Sequence, residues 1–178
     1  FKPNRPIIAV AAVLAILLAA QGRDPSGQVT ARGERRLAPD GIASTLNVPP
    51  AISLTVLAVA ANENFDTLAS SGTSSTTPNG WTFNETGTSA NTTYTAGTGS
   101  LATGDTYSFG SAAATERAFG GLQSGALVPT IGASFTNNTG ATLNSLDIAY
   151  TGEQWRLGAT GRVDRLDFQY STDATSLT

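Results

Sequence analysis

The chain has 178 residues, of which 40% are hydrophobic and only 13% are charged. Because globular domains carry about 25% charged residues, Ser, Thr, Asn and Gly must supply much of the solubility, as in exported bacterial β-proteins. The chain contains no Cys and no His, which excludes disulfides, thiolate chemistry and a Ser-His-Asp triad. After residue 40 it carries four arginines against ten acids, which excludes the basic surface that nucleic-acid binding needs.

An apolar run near the start of the chain predicts export. Residues 7–20 are uninterrupted apolar residues that follow Lys2 and Arg5. The run is shorter than the roughly 20 residues that cross a bilayer comfortably, and a short apolar run behind positive charge is typical of a signal peptide. We therefore expect residues 1–20 to be a helical signal segment. We expect the protein to contact the membrane only during export. Its final location would be the cell surface or the extracellular space.

Residues 21–61 are predicted to be an irregular linker with a second apolar run. Gly and Pro are frequent up to residue 50 and no hydrophobic period appears, which is typical of disordered segments. Residues 51–61 are again apolar and contain Ala58-Val59-Ala60, an A-x-A cleavage pattern. Two interpretations stay open: the first run is the signal and the second a spacer or first strand, or the second run is the true signal core. We favour processing near Ala60.

Residues 62–178 are predicted to form an all-β module. Pro78-Asn79-Gly80 indicates a turn, and residues 131–136, 146–151 and 165–170 alternate between apolar and polar side chains. Such alternation indicates strands with one buried face and favours an antiparallel β-sandwich or jelly roll. Because the sequence stops just after a strand, we expect the domain to be incomplete at its C-terminus. The side chains predicted to face inward are Phe135, Leu146, Ile148, Tyr150, Leu166, Phe168 and Tyr170, and those predicted to face water are Asp147, Arg165 and Asp167.

Several motifs occur together in this module: Glu63-Asn64-Phe65-Asp66, Pro78-Asn79-Gly80-Trp81, Glu116-Arg117-Ala118-Phe119-Gly120, Phe135 to Gly140, Tyr150 to Arg156, and Asp164 to Ser171. The combination resembles a β-sandwich module at the N-terminus of large bacterial secreted proteins. Some of those proteins carry a PEP-CTERM sorting tail, and others a lamin-tail or an extracellular endonuclease/phosphatase domain. The resemblance implies export and surface or matrix association, and it implies no catalytic residue within this stretch.

Four residues are candidates for ligand contact: Trp81, Glu153, Trp155 and Arg156. An aromatic ring beside a carboxylate and a guanidinium can stack on a sugar while the charged groups bind its hydroxyls. The competing interpretation is structural, with Trp155 in the core, Arg156 paired across a sheet, and Trp81 as a core anchor. For the 153–156 segment we favour the structural interpretation.

Acidic residues suggest one metal hypothesis and one catalytic hypothesis. Turn-rich segments contain Glu63, Asp66 and Asp105, whose oxygens could hold calcium, although their spacing is not that of an EF-hand. Apart from calcium, no cofactor is expected. Paired carboxylates can also hydrolyse glycosides. The most closely spaced acids are Glu153, Asp164 and Asp167. They alternate with arginine and aromatic residues, as acids do on the solvent-facing side of a strand.

The sequence therefore predicts a secreted, non-catalytic module for adhesion to a surface or matrix, or for glycan contact. Its partners would be extracellular polysaccharide or cell-surface components. The alternative is an accessory domain of an extracellular endonuclease or phosphatase whose catalytic domain lies beyond Thr178. In neither case would this domain itself bind nucleic acid.

Overall fold

The computed structural model describes residues 10–11, 14–18, 50–156, 167–172 and 176–177. Within these ranges the chain is all-β, as predicted, and contains no helix; it follows that these ranges contain no helix long and apolar enough to span a membrane. Ten strands occur in this part of the chain: β1 (Val10–Ala11), β2 (Leu14–Leu18), β3 (Ile52–Leu54), β4 (Thr73–Ser74), β5 (Trp81–Thr86), β6 (Tyr94–Gly97), β7 (Asp105–Phe109), β8 (Ala118–Leu122), β9 (Val128–Asn137) and β10 (Gln169–Ser171).

The strands form two mixed sheets. The first has the order β1-β8-β7-β6-β4, and the second has the order β10-β2-β9-β3, with β5 also paired to β9. The predicted antiparallel pairing is correct for β5 with β9 and for β7 with β8. It is wrong for β6 with β7, and for β2 and β3 with β9, which run parallel. Parallel neighbours require the chain to return before pairing, which the long Gly- and Thr-rich connections allow.

Strand β9 is the centre of the second sheet. The strand predicted over residues 131–136 is confirmed, but its predicted wet face is not: Ile131, Gly132 and Ala133 are all buried, and residues 134–136 are all half-buried. Residues 131–133 pair with β2 on one edge and with β5 on the other, and residues 135–137 pair with β3. Both edges of β9 are therefore occupied.

The main core cluster joins side chains of both sheets. Tyr94 of β6 and Phe119 of β8 come from the first sheet, while Phe83 of β5 and Ile131 of β9 come from the second. The rings of Phe119 and Tyr94 lie 5.6 Å apart in an edge-to-face arrangement, and those of Phe119 and Phe83 lie 6.1 Å apart. Such pairs contribute about 0.5–1.5 kcal/mol beyond the area they bury.

The strand predicted over residues 146–151 is wrong. Residues 144–150 belong to no strand, and Leu146, Ile148 and Tyr150 are exposed, like Asp147 between them. A hairpin partner for β9 would need a free β9 edge, and both edges are occupied. The segment is therefore displaced from the sheet.

The last predicted strand is shorter than expected and faces the solvent. Strand β10 pairs with β2 at the edge of the second sheet, and both Phe168 and Tyr170 are exposed instead of buried. Asp167 is exposed, as predicted. Leu166 and Arg165 lie outside the described residues.

The segment expected to be a helical signal is only partly described. Val10–Ala11 and Leu14–Leu18 are strands, not a helix. A run rich in Leu, Ile and Val suits a buried strand as well as a helix segment, and here it pairs with β8 and β9. The linker predicted over residues 21–49 lies outside the described residues. Within the second apolar run, Ile52–Leu54 forms β3, and Ala58-Val59-Ala60 is exposed.

Candidate functional site

A groove of about 880 Å³ lies where several separate parts of the chain meet. We call it the β3–β9 groove, because side chains of these two strands form part of its wall. The remaining wall comes from residues 59–65, residues 116–119 at the start of β8, the start of β5, and residues 146–153. Its volume lies within the range of roughly 300–1,000 Å³ of ligand-binding clefts.

Trp81 reaches the groove from the turn that begins β5. Its backbone N–H donates to the carbonyl of Pro78 (3.0 Å), and Gly80 has φ of 78°, which favours glycine. A Cβ at Gly80 would also collide with the side chain of Ile52. The half-buried indole packs edge-to-face on Phe65 at 4.7 Å, and its buried Nε1 has no hydrogen-bond partner within the described residues. Trp81 is therefore both a core anchor and a wall of the groove.

The turn 63–66 brings a carboxylate to the same groove. The Glu63 Oε1 atom accepts from the backbone N–H of Phe65 (2.7 Å), while Asn64 donates to the Asp66 carboxylate (2.6 Å). Asp66 also accepts from the backbone N–H of Arg117 (3.3 Å), which ties the turn to the start of β8. Phe65 has φ of 64°, a left-handed conformation that is uncommon for an aromatic residue. These bonds hold the Phe65 ring against Trp81.

The predicted 153–156 cluster divides between two surroundings. Trp155 stacks on Phe109, with ring centroids 6.0 Å apart, and its Nε1 donates to Glu153 Oε2 (2.8 Å). Arg156 Nη1 donates to the carbonyl oxygens of Ser100 (2.9 Å) and Leu101 (3.0 Å). Trp155 and Arg156 therefore fasten this segment to the first sheet and to the loop after β6, whereas Glu153 lines the groove.

The three residues suggested for calcium do not form one site. Glu63 and Asp66 share a turn, and Asp66 contacts Arg117, which lies beside the Phe109 end of β7. Asp105 begins β7, four residues away, which is about 13 Å along a strand. A single ion therefore cannot contact all three residues. Within the ranges that the structure describes, no group of three or more acidic side chains is arranged to hold a metal.

A buried carboxyl pair is a feature that the sequence analysis missed. Glu85 accepts from Thr106 N (2.7 Å) and Oγ1 (2.8 Å), and from Asn91 N (3.0 Å) and Nδ2 (3.1 Å). Burial raises the pKa of Asp105, and the adjacent Glu85 raises it further, while a hydrogen bond from Thr95 lowers it. Both carboxylate oxygens of Glu85 accept these hydrogen bonds, so the Glu85–Asp105 pair stabilises the fold.

Arg117 is a second missed residue. It is only 3% exposed, its Nε donates to Ser108 Oγ (2.8 Å), and its Nη2 donates to the Ser108 carbonyl oxygen. A Cβ at Gly110 would overlap the guanidinium, so the glycine provides its space. Burial lowers the pKa of Arg117. Its motif was visible in the sequence, but its burial depends on residues of the neighbouring strand.

Among the described residues, four acids and one arginine, Arg117, line the groove; the acids are Glu63, Glu116, Asp147 and Glu153. Aromatic side chains surround them, including Trp81 and Tyr150. This mixture of rings and hydrogen-bonding groups suits a polar ligand with apolar faces. No known family model matches the chain, and neither a curated protein nor a solved structure matches it.

Proposed function

We propose that the chain is a secreted, non-catalytic β-sandwich module that contacts extracellular glycan or cell-surface components through the β3–β9 groove. The observation that carries the proposal is the convergence of two predicted ligand residues, Trp81 and Glu153, on one groove. They come from β5 and from the segment after β9, which are far apart in sequence. Glu63 and Tyr150 line the same groove.

The chemistry of these side chains suits a sugar. A pyranose has an apolar face that packs on an aromatic ring, and hydroxyls that need hydrogen-bond partners. Tyr150 is 59% exposed and offers both a ring and a hydroxyl. Carboxylates of Glu63 and Glu153, together with the amide of Asn64, supply acceptors and donors on the same wall.

The fold supports the architectural part of the proposal. Two sheets that share one core cluster are typical of a β-sandwich, and we extend this to a jelly roll. The low charge content supports export, whereas the apolar run behind Lys2 and Arg5 contributes strands β1 and β2 to the two sheets and does not add to that argument. The same composition supports a final location outside the cell or on its surface.

The hydrogen bonds that four acidic residues make within the fold support a non-catalytic role. Glu85 is buried and Asp105 is half-buried, and both accept hydrogen bonds from residues of neighbouring strands. The groove carboxylates Glu63 and Glu153 each hold part of the chain in place. General acid or base catalysis needs a group free to reach a substrate proton, and these four acids are committed to the fold in part or in full. Glu116 and Asp147 also line the groove, are exposed, and stay available for ligand contact.

Two exposed tyrosines allow a matched test of the groove. Tyr150 lines it, whereas Tyr170 is 75% exposed on β10 and does not. Affinity electrophoresis through gels that contain soluble β-glucan, xylan, chitosan or pectin measures binding as retarded migration. Tyr150→Ala should weaken the retardation about tenfold, the loss expected for an aromatic contact, while Tyr170→Ala should leave it unchanged. Failure of the unaltered protein to bind any polysaccharide, or equal loss in both variants, contradicts the proposal.

A further inference from the structure

We propose that the β3–β9 groove selects glycans that carry free amino groups. This inference rests on the proposed function and adds the charge of the ligand to it. Among the described residues, four acids and one arginine line the groove, which leaves a net of three negative charges on this part of its wall. A groove of one sign concentrates ligands of the opposite sign and repels those of its own.

The carboxylates have oxygens available for a ligand. Glu116 and Asp147 are exposed, and neither has a hydrogen-bond partner among the described residues. Glu63 uses Oε1 to hold the Phe65 backbone, and Glu153 uses Oε2 to hold the Trp155 indole. Each of these two therefore keeps a second oxygen that makes no hydrogen bond within the described chain.

Arg117, the arginine among the described groove residues, is poorly placed to receive an anionic ligand. The Arg117 guanidinium is almost fully buried, and two of its nitrogens donate to Ser108. Uronic-acid or sulfated glycans would thus meet four acids, and the part of the wall that the structure describes offers no accessible cation to offset them. A sugar ammonium, in contrast, donates three hydrogen bonds and gains a charge interaction that a neutral hydroxyl does not.

Glucosamine oligomers provide a matched pair of probes. The glucosamine hexamer and the N-acetylglucosamine hexamer share one backbone and differ in the charge of the 2-amino groups. Isothermal titration of the full chain at low salt and about pH 5.5, where ordinary carboxylates are ionised, should give about tenfold tighter binding of the glucosamine hexamer. Each exposed ion pair contributes a few-fold, and several amines occupy the groove together. Added salt should reduce the difference.

Charge variants assign the effect to the groove. Glu116→Gln combined with Asp147→Asn removes two exposed charges without breaking a hydrogen bond among the described residues, and should cut glucosamine-hexamer affinity roughly three- to tenfold. Asp167→Asn removes an exposed charge outside the groove and should have no such effect. Binding of the N-acetylated hexamer or of oligogalacturonate as tight as that of the glucosamine hexamer overturns the amino-sugar inference and leaves the glycan function standing. If no oligosaccharide or polysaccharide binds, the proposed function fails as well.

Discussion

Glu85 makes hydrogen bonds that join the two sheets, so its removal tests how they are held together. It lies on β5, which belongs to the second sheet, and is 7% exposed. Its Oε1 atom accepts from the backbone N–H and the hydroxyl of Thr106, on β7 of the first sheet. Its Oε2 atom accepts from the backbone and side-chain amides of Asn91.

The expected loss of stability in Glu85→Ala depends on which hydrogen-bond acceptors remain for each donor. The Thr106 N–H keeps Asp105 Oδ1 as an acceptor at 2.9 Å, and Asn91 is exposed, so water can replace its lost partner. The Thr106 hydroxyl is fully buried and loses its acceptor, which costs about 1–3 kcal/mol. The cavity left by the shortened side chain adds about 1 kcal/mol. The free energy of unfolding should therefore fall by about 2–4 kcal/mol.

Urea unfolding followed by tryptophan fluorescence measures this change through the midpoint and slope. Glu116→Ala is the matched control, because Glu116 is exposed and has no hydrogen-bond partner in the described part of the chain. Its effect should stay within about 0.5 kcal/mol. Equal midpoints for the two variants would refute the argument that Glu85 ties the sheets together.

Further predictions concern pH, core packing and catalysis. Burial and the adjacent Glu85 raise the folded-state pKa of Asp105 above its ordinary 3.8, so protonation of Asp105 favours the folded state. The free energy of unfolding should therefore fall as pH rises from about 4 through the raised pKa. Asp105→Asn should flatten this decline when urea unfolding is measured across the same pH range. Phe119→Ala should cost about 3–5 kcal/mol, whereas Phe168→Ala, at an exposed position, should cost under about 1 kcal/mol. The purified chain should leave polysaccharides, DNA and phosphate esters uncut with Mg²⁺, Mn²⁺ or Ca²⁺ present, and product formation in any of these assays would contradict the non-catalytic proposal.

Local patterns predicted the parts of the fold that local physics controls. Alternation over residues 131–136 predicted a strand, which is part of β9. The predicted wet face is not seen there, because Gly132 is buried together with Ile131 and Ala133. Pro78-Asn79-Gly80 predicted the turn before Trp81, because the turn type requires a residue with positive φ. Neither inference needed knowledge of distant contacts.

Features that depend on distant neighbours escaped the sequence analysis. Glu85 and Asp105 are twenty residues apart, so their approach arises only when β5 meets β7. The burial of Arg117 depends on Ser108 as its acceptor. The calcium hypothesis grouped Glu63, Asp66 and Asp105 by residue type alone. In the fold, Asp105 is separated from the turn that holds Glu63.

The groove and the failed strand prediction have a common cause. Residues 146–150 carry a strand pattern, but β2 and β5 already occupy the edges of β9 that this segment would need. Trp155 and Arg156 then fasten its far end to the first sheet. Held at one end and excluded from pairing, the segment lines the same groove as Trp81 and contributes Tyr150 to it. An alternating apolar pattern that would have been buried in a sheet thereby becomes a surface on which a ligand ring can stack.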